Sequence, residues 1–130
     1  MSLQLISQQR ARHALEQVTQ HKDQQGEAEI QRYIIGMPAM ILMSGFGQTC
    51  AFYKSKGNAH AQVLAMLADW LDQQKVFKST DIMAEIVKCD ARLYQLAQAE
   101  SLEFLNWLKK FAKAYLQSEE QGGGDEQAAA

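Results

Sequence analysis

Proline occurs once in this chain, cysteine twice and histidine three times, and Val, Ile and Thr together fill only 14 of 130 positions. So small a supply of β-branched residues cannot furnish a sheet, whereas Ala, Leu and Gln, which favour helix, are abundant. Cys50 and Cys89 are far apart, and the chain has no sign of secretion, so both are expected as reduced thiols, buried or partly buried. Neither cysteine has a Cys or His neighbour at ligand spacing. His13, His21 and His60 are too scattered for a short motif to set two imidazoles on one metal, so no metal and no cofactor are expected. No run approaches the roughly 18 apolar residues of a membrane span, and the first residues lack the charged-then-apolar order of a signal peptide; the expected location is the cytoplasm.

What remains is an ordinary globular composition, with 47% hydrophobic and 22% charged residues. A chain of this length is expected to fold as one domain, burying roughly two thirds of its unfolded surface. The formal charge of -2 misleads, because Glu119, Glu120, Asp125 and Glu126 all follow Ser118, around Gly122, Gly123 and Gly124 and before a run of alanines. Without them, 13 bases face 11 acids, a body of net +2 that is compatible with nucleic acid without being evidence for it. The expected organisation is a helical bundle over residues 1–117 and a disordered acidic Gly/Ala tail over 118–130.

Apolar periodicity predicts an all-α bundle of five or six helices. The first runs from Ser2 to Gln25, with Ile6, Ala11, Ala14, Leu15 and Val18 on one side, and ends at Gly26. A short helix follows over Glu27 to Ile35, with Gly36 as its stop. Pro38 then opens a third helix reaching Ser55, where a missing N–H is harmless. Ile41, Leu42, Gly45, Thr49, Phe52 and Tyr53 continue its stripe, which leaves Gly45 and Gly47 inside the helix at about 1 kcal/mol each relative to Ala. Two readings account for Gly47: tight packing within the chain, or close approach by a neighbouring chain or nucleic-acid backbone along the small strip Gly47, Cys50 and Ala51. Another helix is expected from Ala59 to Lys75, with Val63, Leu64, Leu67, Trp70 and Leu71 inward. A short one is capped by Ser79, Thr80 or Asp81. A long one spans Ala91 to Gln117, with Leu93, Leu96, Ala97, Phe104, Leu105, Leu108, Phe111, Ala112 and Tyr115 inward.

Catalytic motifs are missing. There is no Walker-type glycine loop, no dinucleotide fingerprint and no nucleophile elbow, and no Glu-x-x-His for a di-iron bundle. Asp69, Asp72 and Glu103 read as solvated helix faces, while Glu100, near the core stripe, reads as a partner for a buried base. An enzyme is not expected. The bases carry more information. Lys54 and Lys56 end the glycine-containing helix, Lys109, Lys110 and Lys113 cluster on the outer side of the last helix, and Arg10 and Arg12 lie on the first. Lysines at a helix C-terminus also complement its dipole; converging in space, such groups hold phosphates without reading bases.

The stretch Met37-Pro38-Ala39-Met40-Ile41-Leu42-Met43-Ser44-Gly45-Phe46-Gly47-Gln48-Thr49-Cys50-Ala51-Phe52-Tyr53-Lys54-Ser55-Lys56-Gly57 resembles the signature of the Cmr small subunit family, a helical component of type III-B CRISPR effector complexes. Trp70-Leu71, the closing segment Trp107-Leu108-Lys109-Lys110-Phe111-Ala112 and an N-terminal helix bearing Gln9, Arg10 and Ala11 are similar to the family as well, and the likeness covers most of residues 5 to 116. Phe46 stands where the family often has leucine, and the acidic tail has no dependable counterpart.

The resemblance implies a non-catalytic structural subunit in antiviral defence. Copies would stack along the guide-RNA-bearing backbone, beside the repeated backbone subunit and other Cmr subunits, with basic faces lining the target-RNA channel while other subunits cleave. Candidate RNA contacts are Arg10, Arg12, Lys54, Lys56, Lys109, Lys110 and Lys113, and candidate interface residues are Gly47, Cys50 and Ala51. The alternative is a helical adaptor that binds another protein through an apolar groove and never touches nucleic acid.

Overall fold

Ile30, Ile34, Met37 and Ile41 recur at intervals of four, three and four, and all four side chains are buried. Their stripe carries a single helix, α2 (Glu27–Ser44), straight across Gly36 and Pro38. This corrects the expected division at Gly36. An interior proline costs about 3 kcal/mol, but burying each large apolar side chain returns about 1.5–3 kcal/mol, so the four together outweigh it. Pro38 has no N–H for the Ile34 carbonyl. The neighbouring Tyr33 carbonyl accepts a 2.6 Å hydrogen bond from the Tyr53 hydroxyl, which ties this part of α2 to the next helix.

The computed structural model describes residues 4–118. Before α2 comes α1 (Ile6–Thr19), and after it come α3 (Phe46–Lys56), α4 (Asn58–Gln73), α5 (Ile82–Lys88) and α6 (Ala91–Tyr115). These six helices, with no strand among the described residues, form the all-α bundle that periodicity predicts. The expected acidic tail falls, apart from Ser118, outside the described residues.

The chain breaks between α2 and α3 at Gly45, whose φ of 94° and ψ of 159° lie in a region essentially reserved for glycine. Gly45 is therefore the hinge of a helical hairpin and not the interior helix residue that the stripe predicts. Gly47 does lie in α3, and its missing side chain admits α5 and α6. A Cβ there would stand 3.3 Å from the Tyr94 hydroxyl and 3.5 Å from Ile86 Cγ2, and the Gly47 N–H donates to that hydroxyl at 2.8 Å. Tight packing within the chain, the first of the two readings of Gly47, is therefore present.

α1 also stops early. Between Val18 and Ile30 the only apolar side chain is Ala28, so a continued helix would have nothing to bury. Instead the Thr19 hydroxyl bonds the Leu15 and Glu16 carbonyls, and Glu27 Oε1 accepts the Asp23 N–H at 3.2 Å to draw the chain round. The last helix follows its expected bounds closely. Asp81 and Asp90 cap α5 and α6 by accepting from the Ala84 and Leu93 N–H groups.

α6 packs against α1, α2 and α4, and α3 packs against α4, α2 and α5. Direction follows from long-range bonds. Arg10 reaches Glu100 and Lys22 reaches the Tyr115 carbonyl, so α1 runs parallel to α6; Gln31, near the start of α2, reaches the Leu116 carbonyl and Gly47, just past the end of α2, reaches Tyr94, so α2 runs antiparallel to α6. Phe46, Tyr53, Trp70, Phe77 and Phe104 are the large aromatics of the core, with Trp70 and Phe104 stacked at 5.1 Å. Leu42, Phe52, Leu96 and Tyr115, expected inward, are exposed, as is Ile6. They sit at the margins or ends of their stripes, where no second helix covers them.

Candidate nucleic-acid interface

The bases singled out in the sequence go to different places. Arg10 is occupied within the fold: its Nε and Nη2 donate to Glu100 Oε2 and Oε1 at 2.6 and 2.9 Å, and Glu100 Oε2 also accepts the Trp70 indole N–H at 2.9 Å. Both charged side chains are mostly buried. The hydrogen bond to Glu100 raises the Arg10 pKa against the opposing effect of burial. Burial pushes Glu100 up, but the hydrogen bonds from Arg10 and Trp70 and the guanidinium charge outweigh it and hold the carboxyl below its ordinary value. Glu100 is thus the partner of a buried base, as its position suggests, and that base is a residue expected to face RNA. A guanidinium neutralised by a bidentate carboxylate has little left for a phosphate.

Arg12 is exposed, 3.8 Å from Glu16. Lys110 and Lys113 are exposed and Lys109 half-buried on α6, where Lys110 Nζ donates to Asn106 Oδ1 at 3.4 Å. Lys54 and Lys56, two residues apart on a helix, lie on different sides of α3. Lys54 borders a hollow with Ala61, Leu64, Thr80 and Met83, and Lys56 borders another with Glu29, Tyr33, Asn58 and His60. Of the small strip on α3, Ala51 is exposed, Gly47 is half-buried beneath Tyr94, and Cys50 is wholly buried, its thiol pushed up to about 12 by burial.

Around Lys56 the fold assembles a group that periodicity does not reveal. α2 supplies Arg32 and Tyr33, α3 supplies Phe52 and Lys56, and the first turn of α4 supplies His60. The His60 ring stacks on Tyr33 with centroids 3.6 Å apart and meets Phe52 edge-on at 5.8 Å and Tyr53 edge-on at 4.8 Å. Arg32 lies 4.9 Å from the Tyr33 centroid and donates to its hydroxyl at 2.8 Å, while Lys56 Nζ lies 5.6 Å from the Phe52 centroid. Burial, then the charges of Lys56 and Arg32, lower the His60 pKa against the opposing carboxylate of Glu29. Phe52 keeps 41% of its surface exposed. Cations beside accessible aromatic rings can hold a phosphate and offer a base a surface to stack on.

Of this group, the sequence pattern singles out Lys56, assigns Phe52 to the core and His60 to the ordinary histidines, and passes over Arg32 and Tyr33. The available signal is local, a basic-aromatic pair on each side of the hinge; their meeting depends on the hairpin. His13 and Asp69 also read as ordinary in the sequence. His13 is buried against Trp70 and Phe104 and lies 2.9 Å from the half-exposed Asp69, which Gln17 also reaches. Among the described residues no three His, Cys, Asp or Glu groups converge as metal ligands, and no described helix is long and apolar enough to cross a membrane.

Residues 6–115 match the family model described as CRISPR-associated protein (Cas_Cmr5). The fold is similar to the X-ray crystal structure of a CRISPR-associated Cmr5 family protein from Thermus thermophilus. The two share 23% identity and a TM-score of 0.77 over 88% of this chain and all of that one.

Proposed function

This chain belongs to the Cmr5 family, the small subunit of type III-B CRISPR systems, and from that premise we propose that it is a non-catalytic structural subunit whose basic side chains hold target RNA. Family membership implies assembly into a Cmr complex with other subunits. In our reading, copies stack along the guide-RNA-bearing backbone in the cytoplasm and leave cleavage to other subunits. The observation that carries the RNA contact is the meeting of Lys56, Arg32 and His60 around two aromatic rings at the α2–α3–α4 junction.

Lys54, Arg12 and the Lys109, Lys110 and Lys113 group extend the same role as phosphate contacts. They would position the strand without reading its sequence, as suits a subunit that must accept any target. Arg10 serves indirectly, by fixing α1 to α6. Exposed Ala51 is where a neighbouring subunit would approach α3, over Gly47 and Cys50.

The test is target-RNA affinity of the assembled complex across a salt series. Charge reversal at Lys54 and Lys56, or at Lys109, Lys110 and Lys113, should weaken binding and flatten its salt dependence by about one unit for each phosphate no longer neutralised. Unchanged affinity after both sets would remove these lysines from the RNA role. The isolated chain, with few cations to offer a phosphate backbone, should bind RNA weakly. An adaptor that never meets nucleic acid would fail to recover guide RNA even when purified with its partners, whereas the subunit proposed here recovers it with them.

A further inference from the structure

We infer that Tyr33, Phe52 and His60 form a stacking site for an unpaired base of single-stranded RNA, with Lys56 and Arg32 placed for the phosphates on either side of it. The inference rests on the RNA-contact reading above and adds a base contact to it. Three features of the cluster lead there.

First, the rings lie at the edge of the core, Tyr33 packed against it, and none of them is fully covered. Phe52 keeps 41% of its surface accessible, and Tyr33 and His60 are half-buried and border an open hollow with Lys56, Gly57 and Asn58. Covering the exposed face of Phe52 with a flat heterocycle recovers apolar burial that the bundle leaves undone. Second, His60 is already held on Tyr33 at 3.6 Å, and Phe52 stands nearly perpendicular to it, 88° between planes. The rings are therefore fixed before a ligand arrives, and little ordering entropy is lost on binding. Third, the cations are joined to the rings themselves: Arg32 to Tyr33 and Lys56 to Phe52. A base lying on Phe52 brings its own backbone within reach of Lys56. Glu29 also borders the hollow and would repel a phosphate placed beside it, so the strand must run past Arg32 and Lys56. The carboxylate would instead accept from a ribose hydroxyl or an exocyclic amine. Stacking platforms flanked by cations are the shared device of proteins that bind single strands without sequence preference.

The experiment measures target-RNA binding by the assembled complex at low and high salt, with Phe52→Leu, Tyr33→Leu and the conservative Phe52→Tyr. Loss of a stacked base weakens binding about five- to 150-fold, and the loss should persist at high salt because it is not a counterion effect. Phe52→Tyr should retain wild-type affinity. If the leucine variants bind as wild type while lysine reversal weakens binding, the stacking site is overturned and the phosphate role stands. If neither set has an effect, both fall. A loss that fades with salt as the lysine effect does also overturns stacking. Independently of any variant's folding, a scan of target RNAs carrying one abasic nucleotide should find a position where the unmodified complex loses affinity, with photocrosslinks to Tyr33 or Phe52 at that position. A flat scan overturns the inference.

Discussion

Glu100 accepts from two nitrogens of Arg10 and from the indole of Trp70, so one carboxylate joins α1, α4 and α6. Its folded pKa is depressed, and a depressed carboxylate contributes stability that is present above its unfolded pKa and lost as pH falls through the folded one. Glu100→Gln should lower unfolding free energy at neutral pH by about 2 kcal/mol, the scale of hydrogen bonds to charged groups, and should flatten the acid limb of the stability curve. Urea titrations between neutral pH and the acid transition test both. Tyr94→Phe is a smaller change of the same kind. It strips the Gly47 N–H of its 2.8 Å acceptor at a half-buried site, and about 1–2 kcal/mol of destabilisation is expected with the α3 packing intact. Of these residues, the Glu100 role is legible from its place beside an apolar stripe. The identity of its partner is not, because a stripe gives one helix's inward side and not which residue of another helix lies opposite.

Two glycines of the α2–α3 hairpin should respond to alanine in opposite directions. Gly36 lies exposed within α2, and a Cβ there would meet nothing within 4 Å. Gly36→Ala should therefore stabilise by about 0.5–1 kcal/mol, the helix-interior difference between the two residues. Gly45 carries the hinge at φ 94°, and Gly45→Ala should destabilise by about 1–3 kcal/mol through backbone strain alone. Thermal melts of the two variants check the pair, and two shifts of the same sign would contradict the assignment of the break. Sequence periodicity locates the helix-forming stretches well but places this break at the wrong glycine. Gly36 before Pro38 is the stronger local stop signal; what overrides it is the burial of Ile30, Ile34, Met37 and Ile41 on one continuous side, a gain that exists only once α4 and α6 are in place.

For the molecule as a whole, the two thiols report how the bundle opens. Cys50 is wholly buried and its thiol is pushed up to about 12, while Cys89 is half-buried near the start of α6. Native labelling at neutral pH should modify Cys89 first and reach Cys50 only through global unfolding, so denaturant should accelerate Cys50 with the full dependence of the unfolding reaction. Mass spectrometry of timed reactions reads this directly. Acid acts at the junction of α2, α3 and α4 as well. His60 has a lowered folded pKa, from burial and the charges of Lys56 and Arg32 against Glu29, so the unfolded chain takes up its proton first. That part of stability falls as pH drops through the ordinary imidazole range, and His60→Gln should remove it. The short-range order of this protein was set by its sequence: apolar spacing, few β-branched residues and capping aspartates are local quantities, and they determined an all-α bundle and most helix limits. The signature around Gly45 and the closing Trp-Leu-Lys-Lys helix marked the family as well. Only the tertiary structure decided which charges remain available and which rings meet them. It set Arg10 against Glu100, separated Lys54 from Lys56, and brought Arg32 and Tyr33 of α2 to Phe52 and Lys56 of α3 and His60 of α4. Those relations depend on how helices distant in sequence pack, and the periodicity of a single helix holds no record of its neighbour.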